Sequence, residues 1–171
     1  GLGDVYKRQA LHNKPAFKNC ICTGLLMAEG GQKLSKRLKN YPDPNEVLDN
    51  IGSDALRWFL VSSPVLKGGN LAVDKEGKEI AKAARVAQIP LWNAFYFFTL
   101  YANAEGYKAK EISSSAEAID NYILSKLKRL RDIVKQGLES YDVSMATGEV
   151  ASFMEILNNW YIPVSYTHLR A

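Results

Sequence analysis

The stretch QKLSKRLKNYPDP, residues 32–44, sets Lys33, Lys36, Arg37 and Lys39 within seven positions and offers no acid before Asp43. Ammonium and guanidinium groups crowded together without a local counter-charge create positive potential that suits an anion. The bland alternative for such a run is a solvated basic turn. Charge along the chain bears on the choice. Residues 10–67 carry a net +3 and residues 68–162 a net −1, so the positive field is concentrated around this one stretch. That pattern resembles a local anion site more than a chain-wide nucleic-acid coating.

Something must hold those cations in place, and the flanking residues suggest what. Upstream, FKNCICTGLLM is short, apolar and tolerant of extended backbone, and EGG follows it as a turn signal, which predicts a buried strand and a hairpin leading into the basic loop. Downstream, DPNE offers Asp43 as N-cap, Pro44 at the first helical position and Glu46 at the third, so a helix is expected to start at Pro44. Gly52 ends that helix, Ser53 is expected to cap the next, and Ala55, Leu56, Phe59 and Leu60 share one face before Pro64. The basic loop is thereby expected between a strand and two short helices.

The remainder reads as helical. PVLKGGNLAVD is turn-rich and marks a boundary, after which Asp74 can cap a long helix reaching about Asn103, with Pro90 kinking it. The apolar run from Ile89 to Leu100 is expected to be buried, and Trp92, Phe95, Tyr96 and Phe98 read as core rather than as base-stacking platforms. Ser114 and Glu117 form a capping-box pattern ahead of Ile119, Ile123, Leu127, Leu130, Val134 and Leu138 at helical spacing. A break at Val143 and Ser144 precedes a last helix running toward Ile162.

Composition excludes several classes. With 47% hydrophobic and 23% charged residues the chain describes one soluble domain or parts of two, and no apolar run is long enough to span a bilayer. Cys20 and Cys22, two apart on an expected strand, would point to opposite faces and read as core thiols of a reducing compartment. His12 is the sole histidine outside the last few residues, so no metal site is expected. Both ends look foreign. GLGDVYKRQ and VSYTHLRA are translations of opposite senses of one transposase-type sequencing-adaptor oligonucleotide, which assigns residues 1–9 and 163–171 to non-native peptide expected to lie apart from the core. Without them the net charge falls from +4 to +2, because Lys7, Arg8 and Arg170 leave together with Asp4.

Lys33-Leu34-Ser35-Lys36-Arg37 resembles the KMSKS signature of class I aminoacyl-tRNA synthetases. The longer run KLSKRLKNYPDPNEVLDNIGSDALRWFLVSSPV is similar to the isoleucyl members, and the likeness extends through IPLWNAFYFFTLYANAEGY and FMEILNNWYI. Leu34 stands where the signature has methionine and Arg37 where it has the final serine; the first keeps an apolar anchor and the second adds charge. Residues 41–44 favour the isoleucyl over the valyl and leucyl relatives.

The resemblance implies a mostly α fold, in which residues 10–67 are the C-terminal remnant of a Rossmann-like α/β catalytic domain and residues 68–162 begin a helical-bundle anticodon-binding domain. It implies a piece of an enzyme that joins isoleucine to its tRNA with ATP and Mg2+, a cytoplasmic monomer, and a piece inactive by itself. Lys36 would be the principal ligand of the ATP phosphates, with Lys33 and Arg37 assisting, Ser35 setting loop geometry or donating a hydrogen bond, and Gly30 and Gly31 letting the loop move. A non-catalytic tRNA-binding module is the alternative. Lys128, Arg131 and Lys135 share a helical face that would suit either a tRNA backbone or solvent. Asn158, Asn159 and Trp160 read as packing residues before tRNA contacts, and Asp54 and Arg57 as a local ion pair.

Overall fold

A computed structural model describes residues 2–170, with side chains for residues 3–166. Among the described residues, seven α-helices and two short strands occur in the order α1 (Leu2–His12), β1 (Leu26–Ala28), α2 (Pro44–Asn50), α3 (Ser53–Val61), β2 (Leu71–Val73), α4 (Lys78–Ala104), α5 (Ala118–Glu139), α6 (Val143–Ile156) and α7 (Ile162–Arg170). The strands pair in parallel, Leu26 with Leu71 and Ala28 with Val73, so the chain between them must cross over, and α2 and α3 make that crossover. One core lies beneath it. Val47 of α2, Ala55 and Phe59 of α3, Val73 of β2 and Ile80 of α4 pack together, with Ile80 only 1% exposed.

Local chemistry accounts for most element ends. The Asp43 side chain accepts the Asn45 amide, and Pro44, whose missing N–H would be unpaired there anyway, opens α2. Gly52, at φ 99°, occupies the cap position before α3, so Ser53 falls inside the helix and its hydroxyl accepts from the Arg57 guanidinium instead of capping. Asp74 caps α4 across a turn, accepting the amides of Lys78 at 2.7 Å and Glu79 at 3.0 Å. The expected capping box of α5 does not form: the helix begins at Ala118 with Glu117 at the cap position and no side-chain capping bond, and a turn built on Ser115 precedes it. Ser115, not Ser114, accepts the Glu117 amide and donates to Asp120, while the Asn121 side chain accepts the Ser115 amide. The break before α6 comes slightly early, at residues 140–142, because the Asp142 carboxylate is placed to accept the Met145 amide.

A second cluster joins Ile123 of α5 to Phe153 and Met154 of α6, with Tyr161 packed against it. Gly137 permits the close approach of those two helices, since a Cβ there would lie 2.9 Å from the Asp142 carbonyl. The Tyr161 hydroxyl donates to Asp120 at 2.9 Å, and burial followed by that carboxylate raises the phenol above its ordinary range.

Three expectations of burial fail. The strand predicted over FKNCICTGLLM shrinks to Leu26–Ala28, because β2 is three residues long and no other strand lies beside residues 13–25 among the described residues. Cys20 and Cys22 are accordingly exposed rather than core, and the neighbouring Cys22 thiol raises the Cys20 thiol above its ordinary value. The aromatic run of α4 is likewise uncovered, with Trp92 66% and Tyr96 60% exposed. A helix of 27 residues is about 40 Å long, more than this small fold can cover. Its first part packs on α3 through Ile80, Ala83 and Ala84, and Phe95 and Phe98 lie beyond that contact. The two ends also differ from each other. Residues 3–9 are exposed save for half-buried Val5, whereas Tyr166 packs its ring 5.8 Å from Phe97.

Candidate functional site

The basic stretch emerges from β1 through a tight reversal. Gly30 and Gly31 both adopt left-handed backbone, at φ 77° and 75°, which a side chain would strain. The Ala28 amide then donates to the Gln32 carbonyl at 2.8 Å, and Met27 bridges antiparallel to Lys33. The predicted hairpin thus exists as one bridge, and it delivers Lys33 to the edge of the β1–β2 pair.

Residues 33–40 form a loop closed by its own polar groups. The Ser35 amide donates to the Asn40 side-chain oxygen at 2.8 Å, and the Asn40 side-chain nitrogen donates to the Lys33 carbonyl at 3.2 Å. Within this frame the Lys39 amide donates to the Ser35 carbonyl at 2.9 Å, and the Leu38 amide reaches the Ser35 hydroxyl at 3.4 Å. Lys39 has φ 46°, a left-handed conformation that few side chains adopt and that lets the turn close. Ser35 therefore shapes the loop, through both its backbone and its hydroxyl.

Both flanks of the loop are rooted in apolar surface. Leu34 on one side and Tyr41 and Pro42 on the other line a cavity of about 320 Å³ whose floor is Val47, Phe59 and Ile80. Lys33, Lys36, Arg37 and Lys39 are exposed above it, and none of the four makes an ion pair among the described residues. Uncommitted cations on a tethered loop can meet an incoming polyanion without first breaking a bond to a carboxylate.

The other candidates lie elsewhere. Lys128, Arg131 and Lys135 are exposed on α5, where Arg131 pairs with Asp132 at 2.8 Å and Lys135 approaches Glu139 at 4.0 Å. Asn158 donates to the Met154 carbonyl, and Trp160 meets Tyr122 edge-on with ring centres 5.0 Å apart, so both serve packing. Arg57 and Asp54 form the expected exposed pair at 3.1 Å. No group of three His, Cys, Asp or Glu side chains among the described residues could hold a metal ion. Sequence reasoning passed over Asn40. Its signal was an asparagine closing a polar loop ahead of a Tyr-Pro step, where short amide side chains commonly bond to nearby backbone.

A family model described as tRNA synthetases class I (I, L, M and V) matches residues 5–72, the span that contains this loop, its crossover helices and β2's first residues. That span is thus similar to class I tRNA synthetases. Curated relatives narrow the class: isoleucine–tRNA ligases of Leifsonia xyli subsp. xyli and Rickettsia canadensis are each 48% identical, and that of Rickettsia conorii 49% identical, over 153 residues. The chain belongs to the isoleucine–tRNA ligase family. The match covers 90% of this chain and 14% of each relative, so the chain spans about one seventh of their length.

Proposed function

We propose that this chain is the part of an isoleucine–tRNA ligase that carries the phosphate-handling loop, where the catalytic domain ends (residues 10–67) and the helical anticodon-binding domain begins (residues 68–162). The relatives match 153 of the 171 residues, which leaves room for short adaptor-derived ends, while the class I model reaches back to residue 5. The observation that carries the reading is a loop with four exposed, unpaired cations, anchored at both flanks in apolar surface, inside the span matched by the class I model.

In the parent enzyme a carboxylate oxygen of isoleucine attacks the α-phosphorus of ATP. The bond to the β-phosphate oxygen breaks, and pyrophosphate leaves with the electron pair. Negative charge grows on the departing group, so ammonium groups that meet it mainly in the transition state speed the step. Lys36 at the loop's turn is the principal such group. Lys33 assists from the strand edge, Arg37 adds a second contact to ATP phosphates, and Ser35 holds the turn. The aminoacyl group then passes to tRNA. Mg2+ would arrive bound to the ATP phosphates.

Single-turnover adenylate formation by the full-length ligase tests the assignment. Lys36→Ala should slow it by about 10², roughly 3 kcal/mol by analogy with removing one preorganised oxyanion donor. Lys33→Ala should cost less and Lys39→Ala little, with isoleucine binding nearly unchanged. Equal damage from Lys39→Ala and Lys36→Ala would reduce the loop to diffuse positive potential and remove the specific role of Lys36. Normal adenylate formation with weakened tRNA binding would instead favour a tRNA-binding module.

A further inference from the structure

The geometry points to Asn40 as a positioning residue for the phosphate loop, acting through Lys36 without touching substrate. The inference rests on the phosphate-handling reading above and deepens it. One side-chain amide serves both sides of Leu34: its oxygen accepts the Ser35 amide at 2.8 Å and its nitrogen donates to the Lys33 carbonyl at 3.2 Å. These two bonds close residues 33–40 into a ring from which residues 36–39 project as a turn. Lys33 is already held on its other side by the bridge to Met27. The end of the strand, the serine and the exit of the turn therefore move as one unit.

The consequence concerns where Lys36 can be. A lysine side chain has four rotatable bonds, and its ammonium can stabilise a transition state only if its backbone start is restricted. Nothing but the loop restricts it, because Lys36 is exposed and pairs with no acid among the described residues. Leu34 in the apolar cavity anchors one flank, and Tyr41 and Pro42 the other. Asn40 is the polar link between those two anchors. An apolar residue of similar size would keep the anchors but release the Ser35 amide and the Lys33 carbonyl to solvent, and the turn would widen.

The test is a double-mutant cycle in the full-length ligase bearing this segment, since interacting residues give non-additive effects. Asn40→Ala should slow single-turnover adenylate formation roughly tenfold or more, as expected for a misplaced catalytic group. Transfer from preformed adenylate should be unchanged. In a Lys36→Ala background the same substitution should slow adenylate formation less than about twofold, because the group it positions is gone. Equal slowing in both backgrounds, or none in either, overturns the role of Asn40. Should Lys36→Ala alone leave the rate unchanged, the phosphate-handling reading itself falls, an outcome distinct from failure of Asn40. A second measurement stands apart from activity. In this chain Asn40→Leu should accelerate hydrogen exchange of the Ser35 amide about tenfold or more, and Asn40→Asp, which keeps the acceptor, should not. An unchanged Ser35 exchange rate in Asn40→Leu would show that the ring does not depend on Asn40.

Discussion

Asp74 sits where the strand that supports the loop turns into the longest helix, and its carboxylate is the cap. It is 6% exposed and accepts the amides of Lys78 and Glu79, two of the donors that the first turn of a helix leaves without partners. Burial pushes its carboxyl up, but the Glu79 and Lys78 amides outweigh that and hold it below the ordinary value of 3.8. Removing a cap costs about 1 kcal/mol and losing a charge at a helix N-terminus up to about 1 more, so Asp74→Ala should destabilise by about 2 kcal/mol. For a chain of this size that lowers the melting temperature by roughly 4–8 °C.

The pH dependence follows from the sign of the shift. A carboxyl whose folded pKa is depressed contributes stability above its unfolded pKa and loses it as pH falls through the folded one. The gap between the natural chain and Asp74→Ala should therefore be full at pH 7 and shrink below about pH 4. Thermal melts followed by far-ultraviolet circular dichroism at both ends of that range measure it. No gap at pH 7, or one that persists undiminished at pH 3, would show that a charged carboxylate is not what starts α4.

Ile80→Ala should cost about 2–5 kcal/mol, because the side chain is fully buried beneath the loop and its loss enlarges the cavity there; denaturant titration reads the change. Lys39→Gly should stabilise by up to about 1 kcal/mol through relief of its left-handed backbone, and Lys39→Val should destabilise by a similar amount; paired melts of the two variants check the opposite signs. The purified chain alone should give no isoleucine-dependent pyrophosphate exchange, since a phosphate loop cannot by itself align the attacking carboxylate, and measurable exchange would overturn that.

The site was legible to the extent that it is local. A charge run without acids, two glycines at its entrance and an Asp-Pro helix start are all read within fifteen residues, and the α2 cap at Asp43 and the capping of α4 by Asp74 follow from side chains that bond to backbone nearby. Capping chemistry erred at Ser53 and Ser114, where the helices start after Gly52 and Glu117 without a side-chain cap, because the hydroxyls expected there are not placed at the cap positions. Asn40 was harder. Its side chain could have bonded to several nearby backbone groups, and the folded loop selects Lys33 and Ser35.

Burial was not legible in the same way. Hydrophobicity shows that Trp92, Phe95 and the strand-like residues around Cys20 would gain by leaving water, but the gain requires a partner surface. Ile80 finds one, because the parallel β1–β2 pairing and the α2–α3 crossover bring Val47, Phe59 and Val73 around it. Cys20 and Trp92 find none in this fold and stay exposed. Sequence alone thus determined which residues carry charge, start helices and seek burial, since those are properties of a residue and its near neighbours. Which apolar residues are covered, and which amide holds the basic loop closed, depended on segments distant in the chain or on one choice among several local bonds, and only folding settles those.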